Sequence, residues 1–213
     1  MMKVRQSLLL LCFLAAVGVS GGAAEVPSFG GDASALSLEA LHSSRDKQQA
    51  LARYAKGIFL HRLGFGPAVS PPSWTTGIQS ACFVTFFARK RVIACSGGFR
   101  PRTADLGKEV AANVRQALHL DPRAGYIDRA AAAEARVLIT FPGEPRPVAS
   151  PALIDPLREG LFVENDRSGV AIVPGEAKTS AWAYREALRR LGESDPSRVR
   201  LYAFDSWVIS GKD

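Results

Sequence analysis

Histidine, cysteine and long apolar runs are scarce in this chain, and each scarcity removes a class of function. The 213 residues hold three histidines, His42, His61 and His119, and none stands in a motif with a cysteine. A nucleophilic thiol needs a base within reach and a zinc site needs three or four ligands, so the spacing gives neither a triad nor a metal set. Cysteine occurs only as Cys12, Cys82 and Cys95. No internal repeat and no low-complexity block appears. The apolar run from Leu8 to Val19 falls short of the ~20 residues that cross a bilayer comfortably.

That run has a clear use. Lys3 and Arg5 precede it, and Ser20-Gly21-Gly22-Ala23-Ala24 follows with small residues. The pattern is that of a cleaved signal peptide over 1–24, with the cut after Ala24. Export is expected, most naturally to a bacterial periplasm, with no stable membrane insertion after cleavage; a retained N-terminal anchor is the alternative. A lipoprotein reading through Cys12 is poor, because Leu11 stands where a small residue belongs.

The formal charge is +7, and setting aside Lys3 and Arg5 leaves 25 basic against 20 acidic residues. A basic balance favours weak association with nucleic acid or anionic surfaces. The arginines are scattered among acids, with no recognition helix, zinc-finger spacing or aromatic-basic ladder, so no specific nucleic-acid binding is expected.

Residues 25–45 are rich in Gly, Ser and Ala and read as a flexible N-terminal tail, with a single domain over 46–213. Leu51, Tyr54, Ala55, Ile58 and Leu63 fall at helical spacing before Gly64. Leu106, Val110, Val114, Ala117 and Leu118 mark a second helix that Asp121-Pro122-Arg123 ends. Ala135, Val137, Ile139 and Phe141 alternate as a strand, and residues 160–164 and 169–173 make a hairpin. A last helix starts at Thr179 or Ser180, and residues 199–210 form a terminal strand. Hairpins without regular strand-helix alternation argue an α+β fold with a mostly antiparallel sheet and packed helices.

The most informative stretch is Ala81–Gly97, two β-rich arms joined by Ala88-Arg89-Lys90-Arg91. With Ala88 and Arg89 at the tip, Cys82 faces Cys95, Val84 faces Ile93 and Phe86 faces Arg91. Three readings of Cys95 then stand together. It is a nucleophile or redox thiol beside Arg91 and Arg100, or a buried free cysteine, or half of a Cys82–Cys95 disulfide that export permits. A slip of one residue would separate the sulfurs onto opposite faces. The turn Gly97-Gly98-Phe99-Arg100 offers backbone amides and Arg100 to an anion. Asp121 and Arg123 join Gly97, Gly98 and Arg100 as candidate ligand-binding residues. Asp121, Asp128 and Glu134 are carboxylates that could line a cleft as acid or base.

From about Leu51 to Ser210 the order of these pieces resembles the AMMECR domain family. The carriers are Leu-Ala-Arg-Tyr-Ala-Lys (51–56), Gly77 with Phe83-Val84-Thr85, and Val92-Ile93-Ala94-Cys95-Ser96-Gly97, where the family has Leu-Arg-Gly-Cys-Ile-Gly. Pro101, Leu106-Gly107, Asp-Pro-Arg (121–123), Gly143-Glu144-Pro145, Gly160-Leu161 and Leu-Tyr-x-Phe (201–204) follow in the family's order. Of the hallmark only Cys95 and Gly97 stand, its arginine being Ile93, and Pro174-Gly175-Glu176-Ala177 replaces a Pro-Gln-Val-Ala segment. The resemblance implies a two-lobed α+β body with a cleft beside Cys95, and a link to Memo-type and radical-SAM proteins as partners. The altered hallmark leads to the expectation of a non-catalytic binding or interaction module with an anion- or ligand-binding cleft near Cys95. The alternative is an enzyme, or an accessory subunit of a Memo/radical-SAM-type modification system, using Cys95. Cofactor, substrate and oligomeric state are not written in the sequence.

Overall fold

The computed structural model describes residues 38–211, so the expected signal peptide and residues 25–37 of the expected tail lie outside it. The rest of that tail is folded. Residues 38–43 form a helical turn, α1, and Leu41 is fully buried in the main core, so the body begins before Asp46. Ser44 then caps α2 (Arg45–Arg62) by accepting the Lys47 N–H, and Gly64, at φ +75°, follows its end. Tyr54, Ile58 and Phe59 are among its buried residues.

The hairpin forms as β1 (Phe83–Ala88) and β2 (Arg91–Gly97), but its register differs from the expected one. Arg89 and Lys90 both take positive φ, 51° and 62°, and make the tight turn whose twist suits a two-residue hairpin. A bulge between Phe86 and Phe87 then leaves Ile93 as an extra residue on β2. Cys95 therefore faces Thr85, and Gly97 faces Phe83. Cys82 and Cys95 lie on opposite faces of the sheet, and both are free thiols. Turn position and bulge together thus overturn the reading of a Cys82–Cys95 disulfide and leave the free-cysteine readings.

After the loop come α3 (Leu106–Leu120), a 3-10 turn at Pro122–Tyr126, α4 (Arg129–Glu134) and β3 (Arg136–Pro142). Short β4 (Arg146–Pro147) leads to β5 (Gly160–Glu164), β6 (Gly169–Ile172), α5 (Ser180–Leu191), β7 (Arg200–Phe204) and β8 (Ser206–Ser210). Two four-stranded antiparallel sheets result, in the orders β2-β1-β3-β8 and β4-β7-β5-β6. The expected terminal strand exists, but it breaks at Asp205 and serves both sheets. The Gly143 N–H donates to the Asp205 carbonyl at 2.7 Å, so the two lobes join through a nearly continuous strand pair.

Each lobe has its own core. Helices α2 and α3 cover one face of the first sheet, where Phe59 stacks on Phe86 with centroids 4.1 Å apart. Helix α5 covers the second sheet with Ala183, Ala187 and Leu191. Between the lobes lies a small aromatic seam of Phe83, Phe162 and Phe204, into which Phe99 packs edge-on at 4.9–5.4 Å.

Candidate functional site

The seam side of the hairpin carries the cluster with the most chemistry. Thr85 is fully buried and its Oγ1 hydrogen-bonds Cys95 Sγ at 3.1 Å, the side-chain pair that the observed register sets face to face. The Cys95 N–H points off the free edge of β2 and donates to Asp121 Oδ2 at 2.9 Å. Asp121 stands where α3 ends. Pro122 stops the helix, and the buried carboxylate also accepts the Arg123 N–H at 2.9 Å. The Arg123 guanidinium returns onto both Asp121 oxygens at 2.7–3.1 Å.

The second lobe completes the cluster. Glu176 lies in the loop before α5 with its side chain 3% exposed, accepts from Arg190 Nη2 at 2.8 Å and stands 3.6 Å from Arg123 Nη1. Arg190 also donates to Glu186 at 2.9 Å, one turn back on α5, and Arg189 grips the same Glu186. Three carboxylates and three guanidinium groups thus make up a cluster neutral as a set, and the Arg123–Glu176 pair is the ion pair that crosses the lobe boundary.

Electrostatics follow from this arrangement. Burial pushes the Cys95 thiol up to about 12, and the Glu176 carboxylate adds to the rise, outweighing Thr85 and Arg123. Burial works against the Arg123 charge, but its bond to Asp121 and the charges of Asp121 and Glu176 overcome that and hold its pKa above the ordinary arginine value. Hydrogen bonds from Arg189 lead the causes that hold Glu186 down at about 2. Cys95 is half-buried by its accessible surface, and this setting favours the protonated thiol at neutral pH.

Of the residues named from sequence, Cys95, Asp121 and Arg123 meet here. Gly97 and Gly98 have other duties. A Cβ on Gly97 would come within 2.4 Å of the Phe83 Cα, and the Gly98 N–H donates to the Cys82 carbonyl. Phe99 turns into the seam and Arg100 is exposed, so the expected anion cradle is not assembled. Ile93, at the hallmark arginine's place, is buried in the first core. Asp128 caps α4 and, with Glu134, pairs with Arg89 at the hairpin tip, away from Cys95. His42 packs on Trp207, His61 faces the Gly66 carbonyl and His119 is exposed near the end of α3.

Sequence reasoning missed Thr85, Glu176 and Arg190. The departure at Pro174-Gly175-Glu176-Ala177 was a usable signal, since it put a carboxylate into a segment the resemblance marks. Trp74 packs against the main core, whereas Trp182 is the exposed tryptophan. Two hollows open on the second lobe. One of about 310 Å³ is lined by Glu176, Ala177, Lys178, Thr179 and Trp182. Another of about 610 Å³ lies between residues 147–151 and 199–202, beside Tyr184.

The AMMECR1 family matches residues 35–199, which spans both lobes and every member of the cluster. The chain belongs to the AMMECR1 family. This AMMECR1 chain also shares its fold with the crystal structure of an uncharacterised protein from Pyrococcus horikoshii, at a TM-score of 0.59 and 18% identity, over 75% of this chain and 89% of that one. No curated protein matches it. Among the described residues of this AMMECR1 chain, no helix is long and apolar enough to cross a membrane, and no group of three His, Cys, Asp or Glu residues could hold a metal ion.

Proposed function

We propose that this AMMECR1 chain is an exported, non-catalytic binding module whose recognition face lies at the rim of the Cys95–Glu176 cluster. The observation that carries the reading is the setting of Cys95, whose Sγ is hydrogen-bonded to Thr85 and whose own N–H is held by the Asp121 carboxylate. Cys95 is pushed up to about 12 by burial and by Glu176, and no histidine is among the groups acting on it. A nucleophilic cysteine needs the opposite surroundings, with cations dominant and a base at hand. The ligand face is the hollow of about 310 Å³ that opens beside Glu176, where Lys178 is exposed and Trp182 forms a wall. Its chemistry suits a small polar or anionic group, presented by a solute or by an exported partner protein of the Memo type. Export itself rests on residues 1–24.

The test is the alkylation rate of Cys95 in the native, processed chain from pH 6 to 10, with Cys95→Ser as the blank. Slow modification that rises only above pH 9 is expected. A thiol reacting below pH 7 would overturn the reading and restore a catalytic or redox cysteine. The intact mass of the same sample checks processing, with Glu25 expected as the new N-terminus.

A further inference from the structure

The four outer strands of the two sheets are not protected alike. On β2 the Asp121 carboxylate takes the Cys95 N–H. The edge strand β4 is two residues long and contains Pro147. Strand β6 is largely buried and runs into Val173-Pro174. Strand β8 has none of these devices. Its five residues, Ser-Trp-Val-Ile-Ser, contain no charge and no proline, and Val208 is 42% exposed. No described residue hydrogen-bonds its outer edge. An uncharged edge carrying Val208 and Ile209 is a template for another strand.

The register says which groups that edge offers. Gly143 N–H bonds to the Asp205 carbonyl and Gly211 N–H to the Val137 carbonyl, in the same alignment that pairs Phe141 with Trp207 and Ile139 with Ile209. Hydrogen-bonded pairs alternate along an antiparallel ladder. Trp207 and Ile209 therefore turn their N–H and C=O groups toward β3. Those of Ser206, Val208 and Ser210 point outward.

We infer that β8 is a self-association edge, pairing antiparallel with β8 of a second copy about a two-fold axis at Val208. The sequence Ser-Trp-Val-Ile-Ser is close to a palindrome in shape, so this alignment sets Val208 against Val208, Ser206 against Ser210 and Trp207 against Ile209. The outward groups are those such an alignment uses. Each of the pairs Val208–Val208, Ser206–Ser210 and Ser210–Ser206 exchanges two hydrogen bonds. Every self-pairing about a two-fold sets like residues against each other, and here the centre carries no like charge to repel. The two first-lobe sheets become one eight-stranded sheet with the α2 faces on the same side. The axis lies in the first lobe, on the strand at the far side of the sheet from β2 and Cys95, so the second-lobe hollow stays open.

The test is sedimentation equilibrium of the processed chain from about 1 to 200 µM, with Val208→Lys and Val208→Pro. The Val208 N–H points away from β3, so proline there removes an outward donor and leaves the ladder to β3 intact. Doubling of mass with rising concentration is expected, with dimerisation weakened at least tenfold in both variants while circular dichroism stays native. In Val208→Cys, the paired sulfurs should close a disulfide dimer on oxidation, since facing Cα atoms of ~5.5 Å lie within disulfide range. A cysteine at exposed Ser194 should not. A monomer throughout, or a dimer unaffected by both variants and uncrosslinked through Val208→Cys, would overturn the inference. It also falls if the chain dimerises only when cut back to Leu38, because the N-terminal segment would then be the occupant of the edge.

Discussion

Two charged networks flank the same hairpin, and they are built by different rules. On the helix face, Glu109 and Asn113 of α3 are almost wholly buried and hold Arg102, whose backbone N–H and guanidinium both donate to Glu109 at 2.9–3.2 Å. Asn113 also donates to the Cys82 carbonyl, and Ser96 reaches Gln116, so this network ties the β2 exit loop to α3. Apart from the hairpin, its members span residues 102–116. On the seam face, Asp121, Arg123, Glu176, Glu186 and Arg190 join parts of the chain that meet only when the lobes close. A local network stiffens one lobe. A dispersed one couples two lobes, and its opening does not require either core to unfold.

Substitutions can break or sharpen this contrast, beginning with the hairpin common to both. Gly97→Ala would force its methyl against the Phe83 Cα and the Cys82 carbonyl, backbone atoms that cannot swing aside. A loss of about 3 kcal/mol in urea unfolding is expected. Glu109→Ala removes the local network's centre and should cost about 2.5 kcal/mol, below the usual range for a broken buried pair because Arg102 is 39% exposed and can hydrate. The whole transition should shift as one step.

Glu176→Ala should cost less, about 1.5 kcal/mol for the charged hydrogen bond from Arg190. Its signature differs in kind. Hydrogen exchange should quicken in the 3-10 turn and in the loop before α5 while the α2 amides keep their protection. Equal acceleration in both cores would erase the distinction between the networks.

The thiols respond to pH rather than to truncation. Cys82 and Cys95 are each pushed up to about 12 in the folded chain from 9.0, burial being the first cause in both. A raised thiol pKa means the folded state holds its proton more tightly, so this contribution is complete below pH 9 and is lost as pH climbs toward 12. Urea midpoints should fall above pH 9, and Cys95→Ser should flatten part of that fall without touching the Cys82 part. At the acid end the sign reverses. Glu186 is held down at about 2 from 4.5 by Arg189 and Arg190, so its contribution is present above pH 4.5 and fades between 4.5 and 2. Glu186→Gln should remove that small acid dependence.

Much of the architecture was legible because its signals are local. Helices α2, α3 and α5 lie where apolar spacing with Gly64, Pro122 and Thr179 indicates. The hairpin was legible as a hairpin, yet its register was not. Arg89 and Lys90 are unusual residues for positive φ, and the bulge at Ile93 leaves no composition signature. That small shift carried Cys95 to the other face and set it against Thr85. Of the seam cluster, Cys95, Asp121 and Arg123 were reachable through the resemblance and the Asp-Pro-Arg segment. Glu176 carried only the hint of a carboxylate in a segment the resemblance marks, and Arg190 none, because nothing local says that a loop before one helix meets the end of another helix more than fifty residues earlier.

The amino-acid order alone determined the α+β class, the three longest helices and the mostly antiparallel character, since periodicity, caps and turn residues act over a few positions. Only the tertiary structure decided that the cysteines are separate thiols, that Asp121 and Glu176 belong to one charge-balanced site, and that β8 rather than another strand is left bare among the described residues. Those are matters of which surfaces meet, and they depend on two-fold side-chain alternation and on lobe closure, where one bulged residue changes every partner downstream.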